Sequence, residues 1–136
     1  MPDAPPQGQT AWTSDQLERI GLAEELQLAS SMDDGALRSY VTMWVVRAGD
    51  DLYVRSAGGP NRPWYRSATA GGSGRIRAGG IEADVVFASA DSEAQAGVDA
   101  AYHAKYDRYG PRIVDSVVGS DAHKVTIRLL NGHTQV

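Results

Sequence analysis

Cysteine is absent from this 136-residue chain, which excludes disulfides, thiolate metal sites and cysteine nucleophiles. Lysine is scarce: of thirteen basic side chains only Lys105 and Lys124 are lysine, and the other eleven are arginine. Seventeen acidic residues bring the formal charge to −4, whereas a general nucleic-acid binder needs an excess of cations to neutralise phosphates. No apolar run approaches the roughly 20 residues that cross a bilayer. Nucleic acid and membrane are therefore not expected as partners.

The sequence indicates one soluble domain with a short arm before it. Residues 1–11 are rich in proline, glycine and glutamine and carry no apolar periodicity, so we expect them to lie outside a fold over 12–136. The first residues also lack the basic and apolar segments of a signal peptide. Together with the absence of cysteine, this favours a cytoplasmic protein.

Helical signals occur at both ends and in the middle of the chain. Thr13 is a suitable N-cap for a helix reaching Ile20, with Gln16 as its capping-box partner and Gly21 as a stop. A short helix is predicted from Pro63, where a missing backbone N–H costs nothing. A longer one over 92–106 places Ala94, Val98, Ala101, Tyr102 and Lys105 on one stripe. Residues 112–118 favour a further turn or helix.

Alternating and β-branched segments predict an antiparallel sheet. The predicted strands are Val41–Val46, Leu52–Ser56, Arg75–Arg77, Ile81–Phe87 and Val125–Leu129. Turns are expected at 33–35, at 48–51 and at Gly79–Gly80, while 24–30 fits either helix or strand. We therefore predict an α+β domain in which five or six antiparallel strands form a small barrel with short helices.

Familiar catalytic motifs are missing. His103, His123 and His133 stand too far apart in sequence for a metal motif, so no metal site is expected. The segment Gly71–Arg75 approaches the nucleophile motif GxSxG, but an arginine replaces its second glycine and a strand follows instead of a helix. The glycines of 71–80 also fit neither a dinucleotide-binding nor a P-loop pattern, and two tight turns explain them.

The strongest functional signal is a cluster of arginines without any acid. Residues 55–77 contain five arginines and no carboxylate: Arg55, Arg62, Arg66, Arg75 and Arg77. Arginine's planar fork suits bidentate capture of phosphate or carboxylate, and a helix starting at Pro63 would add free N–H groups. Trp64 and Tyr65 would supply a flat wall for a conjugated ring. The segment therefore predicts a site for an anionic small molecule.

A structural interpretation stays open beside this one. The same arginines have acids in flanking turns and strands with which to form ion pairs, namely Asp33, Asp34, Asp50, Asp51, Glu82 and Asp84. Trp64 would then close one end of the barrel, and Lys105 would be a helix residue with a buried stem and an exposed ammonium.

Several segments resemble an uncharacterised bacterial family known as domain of unknown function 2255. They are 42–46, 52–56, 64–66, 74–80 and 100–106. More distantly, the strand, the small-residue loop and the Trp64-Tyr65 helix are similar to the deazaflavin-dependent nitroreductases, which belong to the FMN-binding split barrels. The resemblance implies a split β-barrel that forms a homodimer with a cofactor near the subunit interface.

Carried onto this chain, the resemblance implies phosphate contacts from Arg55, Ser56, Arg62 and Arg66, with Arg75 and Arg77 as further candidates. Trp64 and Tyr65 become ring or substrate walls, and Tyr102 and Lys105 are the candidates for a catalytic acid or base. The leading hypothesis is an oxidoreductase that binds FMN or a deazaflavin. The alternatives are a cofactor-free protein that binds an anionic metabolite, and a structural dimer whose arginines pair with acids.

Overall fold

The computed structural model describes residues 12–32 and 34–132, which form one curled antiparallel sheet with helices against it. The strands are β1 (Leu26–Ser30), β2 (Val41–Met43), β3 (Val46–Ala48), β4 (Asp51–Arg55), β5 (Ser73–Ala78), β6 (Ile81–Ser89) and β7 (Thr126–Asn131). The α-helices are α1 (Ser14–Leu22), α2 (Pro63–Gly71), α3 (Gln95–Tyr106), α4 (Pro111–Val114) and α5 (Ser120–His123). Short 3₁₀ turns cover Ser92–Ala94, Asp107–Tyr109 and Asp115–Val117.

The predicted N-terminal helix is confirmed, with its cap. The Thr13 hydroxyl accepts the N–H of Gln16, and the Gln16 side chain accepts the N–H of Thr13. The helix continues to Leu22, one residue beyond the predicted stop at Gly21. Trp12, just before the cap, donates its indole N–H to the Leu129 carbonyl at 2.8 Å and so ties the helix to β7.

The β5–β6 hairpin is also confirmed. Ala78 faces Ile81 across the predicted Gly79–Gly80 turn, in which both glycines have positive φ, at 58° and 82°. This is the backbone of a type I′ turn, which matches the twist of the flanking strands. A Cβ on Gly79 would lie 2.2 Å from the Arg19 carbonyl oxygen, so the glycine also lets α1 approach the hairpin.

The sheet has seven strands in the order β2-β1-β5-β6-β7-β4-β3, more than the five or six predicted. The predicted strand Val41–Val46 is wrong, because it splits into β2 and β3 at opposite edges of the sheet. Only Trp44 and Val45 separate these edges, a span of at most about 11 Å at roughly 3.8 Å per residue. The two edges therefore meet there, and the sheet curls into the expected α+β half-barrel.

Two apolar cores lie on the two sides of the sheet. The first contains Leu28, Ile76 and Trp64, together with Leu52 and Val54 of β4. The second lies under α3 and is made of Val46, Tyr53, Val98, Tyr102, Tyr106, Val114 and Val117. The predicted alternation of β4 is thus confirmed, although both of its faces are buried. None of the helices within 12–32 and 34–132 is long and apolar enough to cross a membrane.

Candidate functional site

An apolar cavity of about 470 Å³ opens where the two sheet edges meet. Its wall comes from β2 and the residue after it, from the loop before α2, from the start of α2, and from the segment after α3. The lining residues are Val41, Thr42, Met43, Trp44, Arg55, Ala57, Gly58, Arg62, Pro63, Trp64, Ile113, Ser116 and Val117. Its volume lies within the range of sites that bind drug-sized ligands, roughly 300–1,000 Å³.

Two tryptophans form fixed walls of this cavity. Trp44 stacks on Tyr106, with ring centroids 3.9 Å apart and planes 4° from parallel. The Tyr106 hydroxyl donates to the Glu24 carbonyl at 2.8 Å, which holds the stack in place. Trp64 meets Tyr65 edge to face at 5.8 Å, and the Tyr65 hydroxyl donates to the Lys124 carbonyl. Trp64 therefore lines the cavity, whereas Tyr65 packs against Trp64 and is not part of the lining.

A cation and a helix N-terminus stand at the mouth of the cavity. Pro63 is the first residue of α2, and Arg62 is its N-cap residue, with an exposed side chain that makes no capping hydrogen bond. The Arg62 guanidinium lies against Gly58, where an added Cβ would be 1.7 Å from Nε. Arg66 follows one turn later on α2 and is exposed in a neighbouring cavity. Neither side chain forms a hydrogen bond or ion pair within the part of the chain that the structure describes.

Arg55 differs from its expected role as a phosphate contact. Its side chain is fully buried, and all five guanidinium N–H groups are used within the protein. Nε donates to the Thr126 hydroxyl at 2.8 Å, and the terminal nitrogens donate to Asp99, to the Val117 carbonyl and twice to Gln95. Arg55 shapes the cavity wall and has no donor left for a ligand.

Asp99 links Arg55 to His123. Its other carboxylate oxygen lies 2.9 Å from Nε2 of His123. Partial burial raises the pKa of Asp99, but hydrogen bonds from His123 and Arg55 outweigh this and hold the pKa below its ordinary value. The acid that neutralises Arg55 thus comes from α3, forty-four residues along the chain.

The remaining predicted phosphate contacts lie elsewhere. Ser56 is buried and donates its hydroxyl to the Gly59 carbonyl at 2.6 Å. Arg75 and Arg77 project from the face of β5 opposite to Ile76, which is the face away from the first core. There Arg75 pairs with Asp84 at 2.9 Å and Arg77 with Glu82 at 2.7 Å. For these two arginines the structure shows the ion pairs of the structural interpretation.

Tyr102 and Lys105 also lie away from the cavity, in and beside the second core. Tyr102 is fully buried, which raises the pKa of its hydroxyl well above the usual range. Lys105 donates to the carbonyls of Gly21, Ala23 and Val45 at 2.9, 2.5 and 2.7 Å. Burial lowers the pKa of Lys105 to about 8. Neither Tyr102 nor Lys105 is part of the cavity lining.

Sequence reasoning missed most of the cavity wall. Val41, Met43 and Trp44 were assigned to a regular strand, and Ile113 and Val117 belong to a segment without a distinctive pattern. The sequence carries no local signal for Trp44, because the break between β2 and β3 is visible only in the tertiary structure. Metal ligands are not grouped: across 12–32 and 34–132 no three His or carboxylate side chains could hold an ion, and His133 lies outside these ranges.

A half-barrel of seven antiparallel strands, with a cavity at the junction of its edges, makes this chain a split β-barrel protein. It belongs to the family described as uncharacterized protein conserved in bacteria (DUF2255), whose model matches residues 16–129. The predicted family is thereby confirmed. A comparison with the curated proteins finds no match.

Solved structures support the fold at low sequence identity. An F420-H2 dependent reductase (FDR-A) has a TM-score of 0.58 and 12% identity, covering 79% of this chain and 94% of its own. The heme storage protein HutZ from Vibrio cholerae has a TM-score of 0.58 and 14% identity, and the match covers 88% of this chain and 87% of HutZ. A FAD-binding protein from Mesorhizobium loti has a TM-score of 0.52 and 13% identity, and the match covers 92% of each chain. All three share the split-barrel fold with this chain.

Proposed function

We propose that this protein binds FMN or a deazaflavin phosphate in the cavity between Trp44 and Trp64 and acts as an oxidoreductase on a small molecule. The observation that carries the proposal is a largely apolar cavity with two fixed indole walls and, at its mouth, an arginine whose side chain has no partner among the described residues. The reductase and FAD-binding neighbours support it, since they hold conjugated ring systems on the same fold.

The residues present fit such a cofactor. The indoles of Trp44 and Trp64 would contact a planar ring. Arg62, Arg66 and the free N–H groups at the start of α2 would bind a phosphate. Once bound, the cofactor would supply the hydride chemistry. The chain itself would hold the ring away from water, orient it against Trp44, and neutralise the phosphate.

A homodimer is part of this proposal. Four of the exposed large apolar residues line the cavity and its neighbours: Met32, Leu37, Val41 and Ile113, with 36–52% of each exposed. Apolar residues grouped around a cavity mouth are typical of an interaction surface. A second copy of the chain covering this rim would place the cofactor near the subunit interface, as the resemblance implies. Sedimentation analysis of the wild type and of Ile113→Glu tests this, with a monomeric wild type refuting it.

The cofactor proposal is tested by titrating the purified protein with FMN, with a deazaflavin phosphate and with phosphate-free riboflavin, followed by quenching of tryptophan fluorescence. Arg62→Gln should weaken FMN binding about tenfold and leave riboflavin unchanged, because only FMN carries the phosphate. Trp64→Leu should weaken all three. Arg112→Gln, an exposed arginine outside the cavity wall, serves as the matched control. Absence of saturable binding by every compound would refute the proposal.

The alternative is a cofactor-free protein that binds an anionic metabolite. It is favoured by a second, more polar cavity that shares Val41, Pro63 and Trp64 with the first. It becomes the better account if the flavins fail to bind while the folded protein still binds small organic anions.

A further inference from the structure

A second cavity of about 420 Å³ adjoins the proposed ring site and shares Val41, Pro63 and Trp64 with it. It is lined by Ser30, Met32, Leu37, Arg38, Ser39, Val41, Pro63 and Trp64. No sequence motif distinguishes Ser30, Arg38 or Ser39. Their chemistry in this cavity is nevertheless specific.

Ser30 carries a buried hydroxyl that has no hydrogen-bond partner among the described residues. The residue is 1% exposed, and its Oγ meets no donor or acceptor. Along β1 its side chain shares a face with Leu26 and Leu28, so it points toward the first core and the Trp64 side of the sheet. Buried polar groups in proteins are nearly always satisfied, and an unsatisfied one lining a cavity indicates a missing ligand group.

Arg38 pairs with Ser30 through the backbone and lines the same cavity. The bridge between Ser31 and Leu37 sets Arg38 opposite Ser30, and the Arg38 N–H donates to the Ser30 carbonyl at 2.9 Å. Directly opposite residues of an antiparallel pair project to the same face with Cβ atoms about 5 Å apart. The Arg38 guanidinium forms no hydrogen bond or ion pair within the described residues. A fork of free N–H groups and a free hydroxyl therefore face one cavity.

The loop that carries Arg38 is ordered by its own contacts. Met32 N–H donates to the Ala36 carbonyl at 2.7 Å, Gly35 N–H donates to the Met32 carbonyl, and the Asp34 side chain accepts the Ala36 N–H at 2.9 Å. Together with the Arg38 N–H bond to the Ser30 carbonyl, these hydrogen bonds hold the backbone near Arg38, so it loses little freedom when an anion binds.

We propose that this cavity is a subsite for the carboxylate of a small organic acid. One guanidinium matches one negative charge, and the hydroxyl of Ser30 donates a further hydrogen bond to the carboxylate. The apolar walls of Leu37, Val41 and Trp64 accommodate the hydrocarbon body of the acid. Because the two cavities share Trp64, the acid would lie beside the cofactor. The subsite itself requires no cofactor.

The experiment uses the full chain without added flavin and three probes: benzoate, its neutral analogue benzamide, and inorganic phosphate. Binding is followed by nuclear magnetic resonance at the amides of Ser30, Arg38 and Ser39. We expect saturable shifts with benzoate and much weaker ones with benzamide or phosphate. Arg38→Gln should weaken benzoate about tenfold or more, and Arg112→Gln should leave it unchanged.

Ser30→Ala provides a readout that does not depend on ligand affinity alone. Removing an unsatisfied buried hydroxyl should raise the Tm of the free protein by about 3 °C while weakening benzoate several-fold. A lowered Tm would show that the hydroxyl has a structural partner and would overturn the proposal. So would equal binding of benzamide, a preference for phosphate, or benzoate binding that survives Arg38→Gln.

Failure of this subsite and failure of the cofactor proposal are distinguishable. Arg62→Gln should weaken FMN and leave benzoate unchanged, and Arg38→Gln should do the reverse. If neither FMN nor riboflavin binds while benzoate binds through Arg38, the carboxylate subsite stands and the cofactor proposal falls.

Discussion

Replacing Arg55 by methionine tests whether this arginine is a structural ion pair or a ligand contact. Methionine keeps the length and apolar stem but removes five hydrogen bonds and the charge that Asp99 neutralises. The guanidinium is fully buried and the Asp99 side chain is 25% exposed, so the carboxylate loses its main partner in a partly dry site. Breaking a buried pair in this way costs about 3–5 kcal/mol, against a total stability of about 5–15 kcal/mol.

The assay is urea unfolding followed by tryptophan fluorescence and by circular dichroism. Arg66→Met is the matched control, because Arg66 is exposed and forms no ion pair within the described residues, so its replacement should change stability by less than about 0.5 kcal/mol. A double-mutant cycle adds specificity: Asp99→Asn should cost less in the Arg55→Met protein than in the wild type. A variant of Arg55 with unchanged stability but weaker binding of a phosphate-bearing cofactor would refute this reasoning.

Three further outcomes are expected. Gly79→Ala should destabilise the protein by about 2 kcal/mol or more, because the new Cβ would lie 2.2 Å from an α1 carbonyl oxygen and the residue would keep a positive φ. Gly80→Asn should leave the stability nearly unchanged. Equal losses of stability for the two variants in thermal unfolding would contradict this. Lys105→Met should lower the free energy of unfolding by about 2–3 kcal/mol, because three carbonyls lose a charged donor, while FMN affinity stays unchanged in the titration. A variant with full stability but weaker FMN binding would instead give Lys105 a role in the site. The folded pKa of Asp99 lies below its unfolded value near 3.8, so the stability it contributes is present above that pH and is lost as pH falls through the lowered pKa. As pH falls, the free energy of unfolding should therefore decrease less for Asp99→Asn than for Asp115→Asn, which changes an exposed carboxylate.

Local signals in the sequence predicted the elements whose contacts are local. The capping box of Thr13 and Gln16 and the paired glycines at 79–80 act over a few residues, and both were confirmed. The helix starting at Pro63 was confirmed for the same reason. The strand Val41–Val46 was wrong, because β-branched composition cannot show that a chain leaves one sheet edge and joins the other.

The arginine cluster shows the same limit for the site. Its composition indicated several unpaired cations, yet long-range neighbours decided which were free. Asp99 and Gln95 of α3, together with Thr126 and the Val117 carbonyl, accept all five N–H groups of Arg55. Strand β6 supplies the acids for Arg75 and Arg77. Arg62 and Arg66 keep their predicted availability because α2 carries no acid of its own.

The sequence by itself determined the family, the split-barrel class, the main helices and hairpin, and the absence of cysteine chemistry. These depend on residue identity and on spacing over short distances, which the chain displays directly. Only the tertiary structure decided which arginines face a cavity, that Trp44 and Trp64 form its two walls, and that Ser30 meets Arg38. Those relations join residues that are far apart in sequence or lie on different strands, and they are set by how the sheet curls until its edges meet.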